Sequence, residues 1–244
     1  MSQTVERALV ILEFLADSPK ALGDVADHVG VHKSTASRLL QTLEAQGFVR
    51  HDERHRFRLG ARLFGLAAQA LGSLDVRAAA SPHLRRLGEL TGQTVHLASL
   101  DGGDVFYVDK YESSQSIRMY SRIGALAPLY CTGVAKAILA FRPEAERRAV
   151  AERITYVAHT RRTITTPAAL IAELERVRSR GYAIDDREHE EFIHCVAAPV
   201  RGPDGEVLHG VSISAPTLSL SREKLLELVP LLLQAATDIE KELA

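Results

Sequence analysis

Two groups of side chains in this 244-residue chain have the types and spacing to do chemistry. The first lies in VHKSTASRLL, residues 31–40, which sets Lys33, Ser34, Thr35, Ser37 and Arg38 around Ala36, Leu39 and Leu40. At helical spacing, Ser34, Ser37, Arg38 and Gln41 share one face, while Ala36, Leu39, Leu40 and Leu43 share the other. Short hydroxyl side chains reach phosphates or base edges closely, and an arginine can hold guanine through two hydrogen bonds. Taken alone, such a helix is equally the polar face of an ordinary three-helix domain. The second group is Ser212 and Ser214, two residues apart in GVSISAP and so on one side of a strand. Elsewhere, Gly133 begins a helical run, and the first N–H groups of a helix suit a carboxylate.

The elements that must position the first group are legible around it. Residues 4–17 carry Val5, Ala8, Leu9, Leu12, Leu15 and Ala16 on one helical stripe, and Ser18-Pro19 marks a turn. A second helix holds Leu22, Val25, Ala26 and Val29, with Gly30 placed for a left-handed cap. The third helix is the stretch above, ended by Gly47. In FVRHDERHRFRLG, Phe57 and Leu59 alternate with Arg56 and Arg58, which predicts a basic hairpin around Asp52-Glu53. This is the order of a winged helix-turn-helix. Between residues 32 and 62, seven basic side chains stand against three acidic ones, although the whole chain carries only −1. A local basic patch on a near-neutral chain points to a dedicated nucleic-acid face, with Arg54 and Arg56 of the hairpin on phosphates.

After a small-residue helix over 61–73, read as a connector, and another over about 75–91, the pattern changes. Strands are predicted over Thr94–Leu100 and Val105–Lys110, separated by the turn signal DGGD, and over Ile117–Arg122. Helices follow over Gly133–Phe141 and Pro167–Arg180, the latter ended by Gly181. Strands His194–Val200 and Glu206–Ser214 flank GPDG, and a long helix from Ser221 carries Pro230 as a kink. The second half therefore reads as an α+β domain on an antiparallel sheet. Composition is that of a packed chain, 46% apolar and 25% charged, with no run long enough to span a bilayer. Glu6, Arg7 and Glu13 interrupt the apolar N-terminus, against a secretory signal, and two cysteines give no disulfide framework. The expectation is a cytoplasmic protein without membrane contact.

Several long stretches resemble one family. VERALVILEFLA, GVHKSTASRLLQTLEAQGFV, FRLGARL, RIGALAPLYCTGVAKAILA, RTITTPAALIAELERVRSRGYAIDD and CVAAPVRGPDGEVLHGVSISAP occur in the order found in the IclR family of bacterial transcriptional regulators. The resemblance implies a winged helix-turn-helix over residues 1–60, a linker helix over 61–74 and a GAF-like effector-binding domain over 75–244. It also implies homodimers or homotetramers on double-stranded operator DNA, and a small organic-acid or aromatic effector. IRMYSRIG, YCTGVAKA and DDREHEE are similar to the branch containing the 2-keto-3-deoxygluconate repressor. By the same resemblance the pocket comprises Thr132, Gly133 and Val134 before the helix, with Asp185, Ile193, Cys195, Ser212 and Ser214. Two departures stand out: Ala135 and Phe192 occupy positions where the family usually has glycine, and the aromatic is expected beside the pocket, narrowing it or stacking on a ligand.

His51 and His55, or His189, His194 and Cys195, invite a metal, but neither makes a closed ligand set, and His194 and Cys195 are adjacent on a strand and face opposite ways. No metal or cofactor is expected. Cys195 with His189 or His194 as base would make an enzyme, yet no nucleophile elbow, phosphate loop or dinucleotide fingerprint occurs. An architectural nucleic-acid binder would have no use for the large α+β half. The reading is a non-enzymatic repressor of a catabolic operon, released or retuned by a sugar-derived keto acid. An aromatic-acid-responsive activator of the same family is the alternative.

Overall fold

The computed structural model describes residues 2–72, 75–113 and 121–244. The chain divides into two compact units, Met1–Ser73 and Leu74–Ala244.

The first unit contains α1 (Gln3–Phe14), α2 (Leu22–Val29), α3 (Lys33–Ala45), strands β1 (Val49–His51) and β2 (Phe57–Leu59), and α4 (Arg62–Gly72). α1 stops at Phe14, short of the predicted end at residue 17. Gly30 takes a left-handed conformation (φ 67°, ψ 41°) and turns the chain from α2 into α3 without the steric penalty a side chain would bring. The N-cap of α3 is His32, whose ring accepts from Ser34 N–H. Ile11, Leu15, Val25, Ala26, Ala36, Leu40 and Val49 form the core of this unit. The hairpin pairs Val49 with Leu59 and His51 with Phe57. It is anchored by a third short segment, because Lys20 and Phe57 exchange both backbone hydrogen bonds, at 2.9 and 2.8 Å.

The second unit is a five-stranded antiparallel sheet in the order β4-β3-β7-β6-β5. Its strands are β3 (Thr94–Asp101), β4 (Asp104–Tyr111), β5 (Ala183–Asp186), β6 (Ile193–Arg201) and β7 (Val207–Pro216). Helices α5 (Asp75–Thr91) and α10 (Val229–Leu243) pack on one face; α6 (Gly133–Leu139) packs on the other, with α8 (Pro167–Arg180) and α7 (Glu144–Arg153) behind it. With both faces covered, β6 is buried along almost its whole length, and its polar–apolar alternation is lost. Two elements are additional to those predicted. β5 is only four residues long and ends in two aspartates, which are poor strand formers. α7 is mostly charged and has no apolar stripe. The C-terminal helix breaks rather than kinks: α9 (Arg222–Glu227) ends at Leu228, and Pro230 sits in the first turn of α10, where a missing N–H is harmless. The predicted strand Ile117–Arg122 falls largely outside the described residues. No described helix is long and apolar enough to cross a membrane.

Leu40 is fully buried in the core of the first unit. Leu40→Ala is expected to destabilise that unit by roughly 2–5 kcal/mol, the usual range for truncating a core leucine. Urea unfolding followed by circular dichroism measures it.

Candidate functional site

In the first unit, Lys33, Ser34, Thr35, Arg38 and Gln41 of α3 are exposed, while Ser37 is half-buried. The same helix turns Ala36 and Leu40 into the core, so one element separates a polar face from its own support. Thr35 and Arg38 also line a shallow groove with Thr4 and Arg7 of α1. The spacing of α1 alone gave no sign of Arg7, which depends on how α1 crosses α3.

The hairpin arginines differ from one another. Asp52 accepts the backbone N–H groups of Arg54 and Arg56 through Oδ1, both at 2.9 Å. Its Oδ2 accepts Nε and Nη2 of Arg56 at 3.1 and 3.0 Å. These donors, the Arg56 backbone N–H foremost, hold the Asp52 carboxyl below its ordinary range. Arg56 therefore closes the turn, whereas Arg54 makes no side-chain ion pair among the described residues. His51 is likewise engaged, its Nδ1 lying 2.6 Å from Glu44 Oε1.

In the second unit, Thr132, Gly133, Val134, Asp185, Ile193, Cys195, Ser212 and Ser214 all line one cavity, of about 420 Å³ counting the space at its open mouth. Sheet register explains the gathering. Asp185 pairs with Cys195, Cys195 with Ser214, and Ser214 with Thr94, so one row of side chains runs across the strands on the α6 side. The next row joins Ala197, Ser212 and His96. His194 and Asp186, one residue along, pair on the opposite side of the sheet. That separation removes the metal grouping of His194 with Cys195.

The start of α6 closes the cavity. A Cβ at Gly133 would stand 2.5 Å from Cys195 Sγ and 3.3 Å from Ala197 Cβ, so only glycine lets the first turn of the helix lie this close to the sheet. Ala135, by contrast, is buried in the core and does not line the cavity. Phe192 is 65% exposed and also lies outside the lining, so the expected narrowing of the pocket by this aromatic does not occur.

His96, Tyr107, Ser121, His189 and Glu190 complete the lining. His96 Nε2 is 2.7 Å from Ser121 Oγ, and Nδ1 is 3.5 and 3.4 Å from the hydroxyls of Ser212 and Ser214. Burial, helped by nearby Lys110, pushes the imidazole down to about 3, so it is neutral at working pH. Burial likewise pushes the Cys195 thiol up, and Asp185 adds to the effect. A thiol held protonated is a poor nucleophile, which weakens the enzyme reading of Cys195. Burial pushes Asp185 up to about 7, with Lys136 opposing. These partners were missed because His96 is a lone histidine in a strand, and only its register against Ser212 reveals the contact.

Beneath the cavity, Lys136 is wholly buried. Its Nζ donates at 2.6 Å to the Ile184 carbonyl and at 2.6 Å to each oxygen of Glu188. Glu173 of α8 stands 3.9 Å away and is itself paired with Arg176 and Arg180. Lys136 thus fastens α6 to the segment that carries Asp185.

A DNA-type head joined to a domain with a polar cavity defines a class. The chain is a DNA-binding transcriptional regulator of the IclR family: the IclR helix-turn-helix domain matches residues 4–53, and the bacterial transcriptional regulator IclR C-terminal domain matches residues 68–241. It is 38% identical to the HTH-type transcriptional regulator KdgR of Escherichia coli, over 98% of this chain and 92% of that protein. It is 34% identical to the acetate operon repressor of Salmonella typhimurium, over 97% and 88% of the two chains. The crystal structure of Thermotoga maritima IclR is similar throughout, with 36% identity, a TM-score of 0.80 and 98% of each chain covered. These relatives are named as regulators, a non-enzymatic role.

Gly133→Ala is expected to destabilise the second unit by roughly 1–3 kcal/mol through overpacking. Adding Cys195→Ala should recover part of that loss, giving a coupling of roughly 0.5–3 kcal/mol in a double-mutant cycle. Additive losses would mean that the helix yields elsewhere. Lys136→Met should be costlier, roughly 3–5 kcal/mol, because it leaves Glu188 buried without its cation. Denaturant unfolding of the four variants and the parent measures all three effects.

Proposed function

We infer that this regulator is a repressor of a catabolic operon, and that a small organic acid, a sugar-derived keto acid above all, binds the cavity and weakens its hold on operator DNA. The observation that supports this reading is the convergence on one cavity of a glycine-fronted helix start, Ser212, Ser214 and the neutral ring of His96. A carboxylate buried without fixed donors would be too costly to desolvate. A helix N-terminus and two hydroxyls supply such donors. The repressor sign is in keeping with the acetate operon repressor among the relatives.

On the DNA side, Lys33, Ser34, Thr35, Ser37, Arg38 and Gln41 would meet a groove, and Arg54 and Arg56 the phosphates beside it. Two copies of the chain, or four, would present paired heads to two half-sites. Effector and DNA then compete through a coupling free energy, each lowering the other's affinity by the same factor.

Arg38→Ala should weaken specific binding by roughly 1–3 kcal/mol if the side chain reads a base. A gel-shift titration against operator and scrambled DNA distinguishes that loss from a uniform one. Because Arg56 is already held by Asp52, Arg54→Ala should flatten the salt dependence of binding by about one unit of slope, and Arg56→Ala should act more through the hairpin turn. For the cavity, Ser212→Ala and Ser214→Ala should each weaken effector binding by about tenfold or more, since a hydrogen bond to a charged group contributes roughly 1.5–3 kcal/mol. Calorimetry with keto acids, aldonates and aromatic acids identifies the class. Serine variants that bind the active acid as tightly as the parent would place the effector elsewhere.

A further inference from the structure

The proposed cavity holds an imbalance of charge. Two carboxyl groups, Asp185 and Glu190, line it, and among the described residues no lysine or arginine does. Asp185 is the more deeply placed, 5% exposed. Among the described residues its one cationic neighbour is Lys136, and the three N–H groups of that ammonium are already taken by the Ile184 carbonyl and both oxygens of Glu188. Asp185 Oδ1 accepts the Glu188 backbone N–H at 2.7 Å. The other groups around it carry no positive charge to offer. His96 and His189 are kept neutral by burial, and Cys131, Cys195 and Tyr107 hold their protons for the same reason. Glu188 and Glu190 add only like charge, and Glu173 lies behind Lys136. An effector carboxylate entering beside an ionised Asp185 would put like charges together in a buried space. Carboxyl pairs in that position share a proton instead.

We propose that Asp185 enters the effector complex as a protonated carboxyl that donates a hydrogen bond to the effector's carboxylate, so that effector binding is proton-linked. This rests on the reading that a carboxylate occupies the cavity. It makes Asp185 a donor that distinguishes an anion from a neutral sugar. An O–H group donating to a carboxylate makes one of the stronger hydrogen bonds available to a protein. The proton balance is simple. Below its midpoint Asp185 already carries the proton, and above it one proton is taken from solvent for each effector bound. Burial places that midpoint at about 7. The sign for stability follows. The folded-state value stands above the ordinary one, so this contribution to stability is complete at low pH and is lost as pH rises through about 7.

The test has two arms on the full-length chain. In the first, the carboxyl carbons of aspartate are labelled and titrated by NMR without ligand, with Asp185→Asn assigning the signal. A midpoint near neutrality is expected; titration in the ordinary aspartate range, near ~4, overturns the proposal. In the second, 2-keto-3-deoxygluconate, with pyruvate as the shorter 2-keto acid, is titrated calorimetrically between mildly acidic and alkaline pH. The parent's affinity should fall by about tenfold per pH unit above the midpoint, with uptake of one proton. Asp185→Asn, a neutral group of the same shape, should bind more tightly than the parent at alkaline pH and lose the pH dependence. If Asp185→Asn loses binding at every pH, Asp185 acts as an ionised acceptor and the proposal falls. If neither acid binds the parent, the keto-acid reading fails, and the first arm still decides the state of Asp185.

Discussion

The second unit depends on the close approach of α6 to its sheet. Gly133 leaves no room for even a methyl group against Cys195, and that contact brings the first turn of the helix to the row Asp185–Cys195–Ser214. A helix start placed so near a sheet edge needs something to hold it. Lys136, one turn further along, supplies this by bonding Glu188 and the Ile184 carbonyl in the adjoining segment. Steric closeness at one end of the turn and a buried ion pair at the other fix the wall of the cavity from both sides. An isolated pair of this kind adds little net stability against an apolar replacement, but losing one partner is costly, which makes the arrangement rigid.

The same close packing sets the chemistry. Burial of the lining side chains keeps His96 and His189 neutral, keeps both cysteines as thiols and raises Asp185. Neutral groups recognise by hydrogen bonding and shape, and they make poor nucleophiles. A site of this character suits binding without turnover, as a regulator requires. The close wall between α6 and the sheet thus sets both the packing of the unit and the chemical character of the cavity.

The first unit solves a different problem with smaller means. Its hairpin has only six ladder residues, too few to be stable alone. Three polar links hold it: Lys20 paired to Phe57, His51 against Glu44 of α3, and Arg56 closed onto Asp52. One of the charged side chains that a basic-patch reading assigns to DNA, Arg56, is therefore already engaged in shaping the hairpin. Positive charge remaining for a partner comes from Lys33, Arg38, Arg50, Arg54, Arg58 and Arg62, all exposed.

Much of this was present in the sequence. The leucine stripe of α3, the left-handed glycine after α2 and the capped span Pro167–Arg180 follow from local rules, because helical periodicity and backbone sterics act within a few residues. Likewise Ser212 and Ser214 had to share a side of β7, since strand side chains alternate. Tertiary structure decided what lies opposite them. β5 carries Asp185 but is too short and acidic to announce itself, and it exists because β6 offers an edge to pair with. His96 belongs to the cavity only through a register set more than a hundred residues away, and Phe192 leaves it for the surface although it sits beside Ile193. The charge state of Asp185 was beyond any local pattern, because it depends on where Lys136 places its three donors and on how much water the packing excludes.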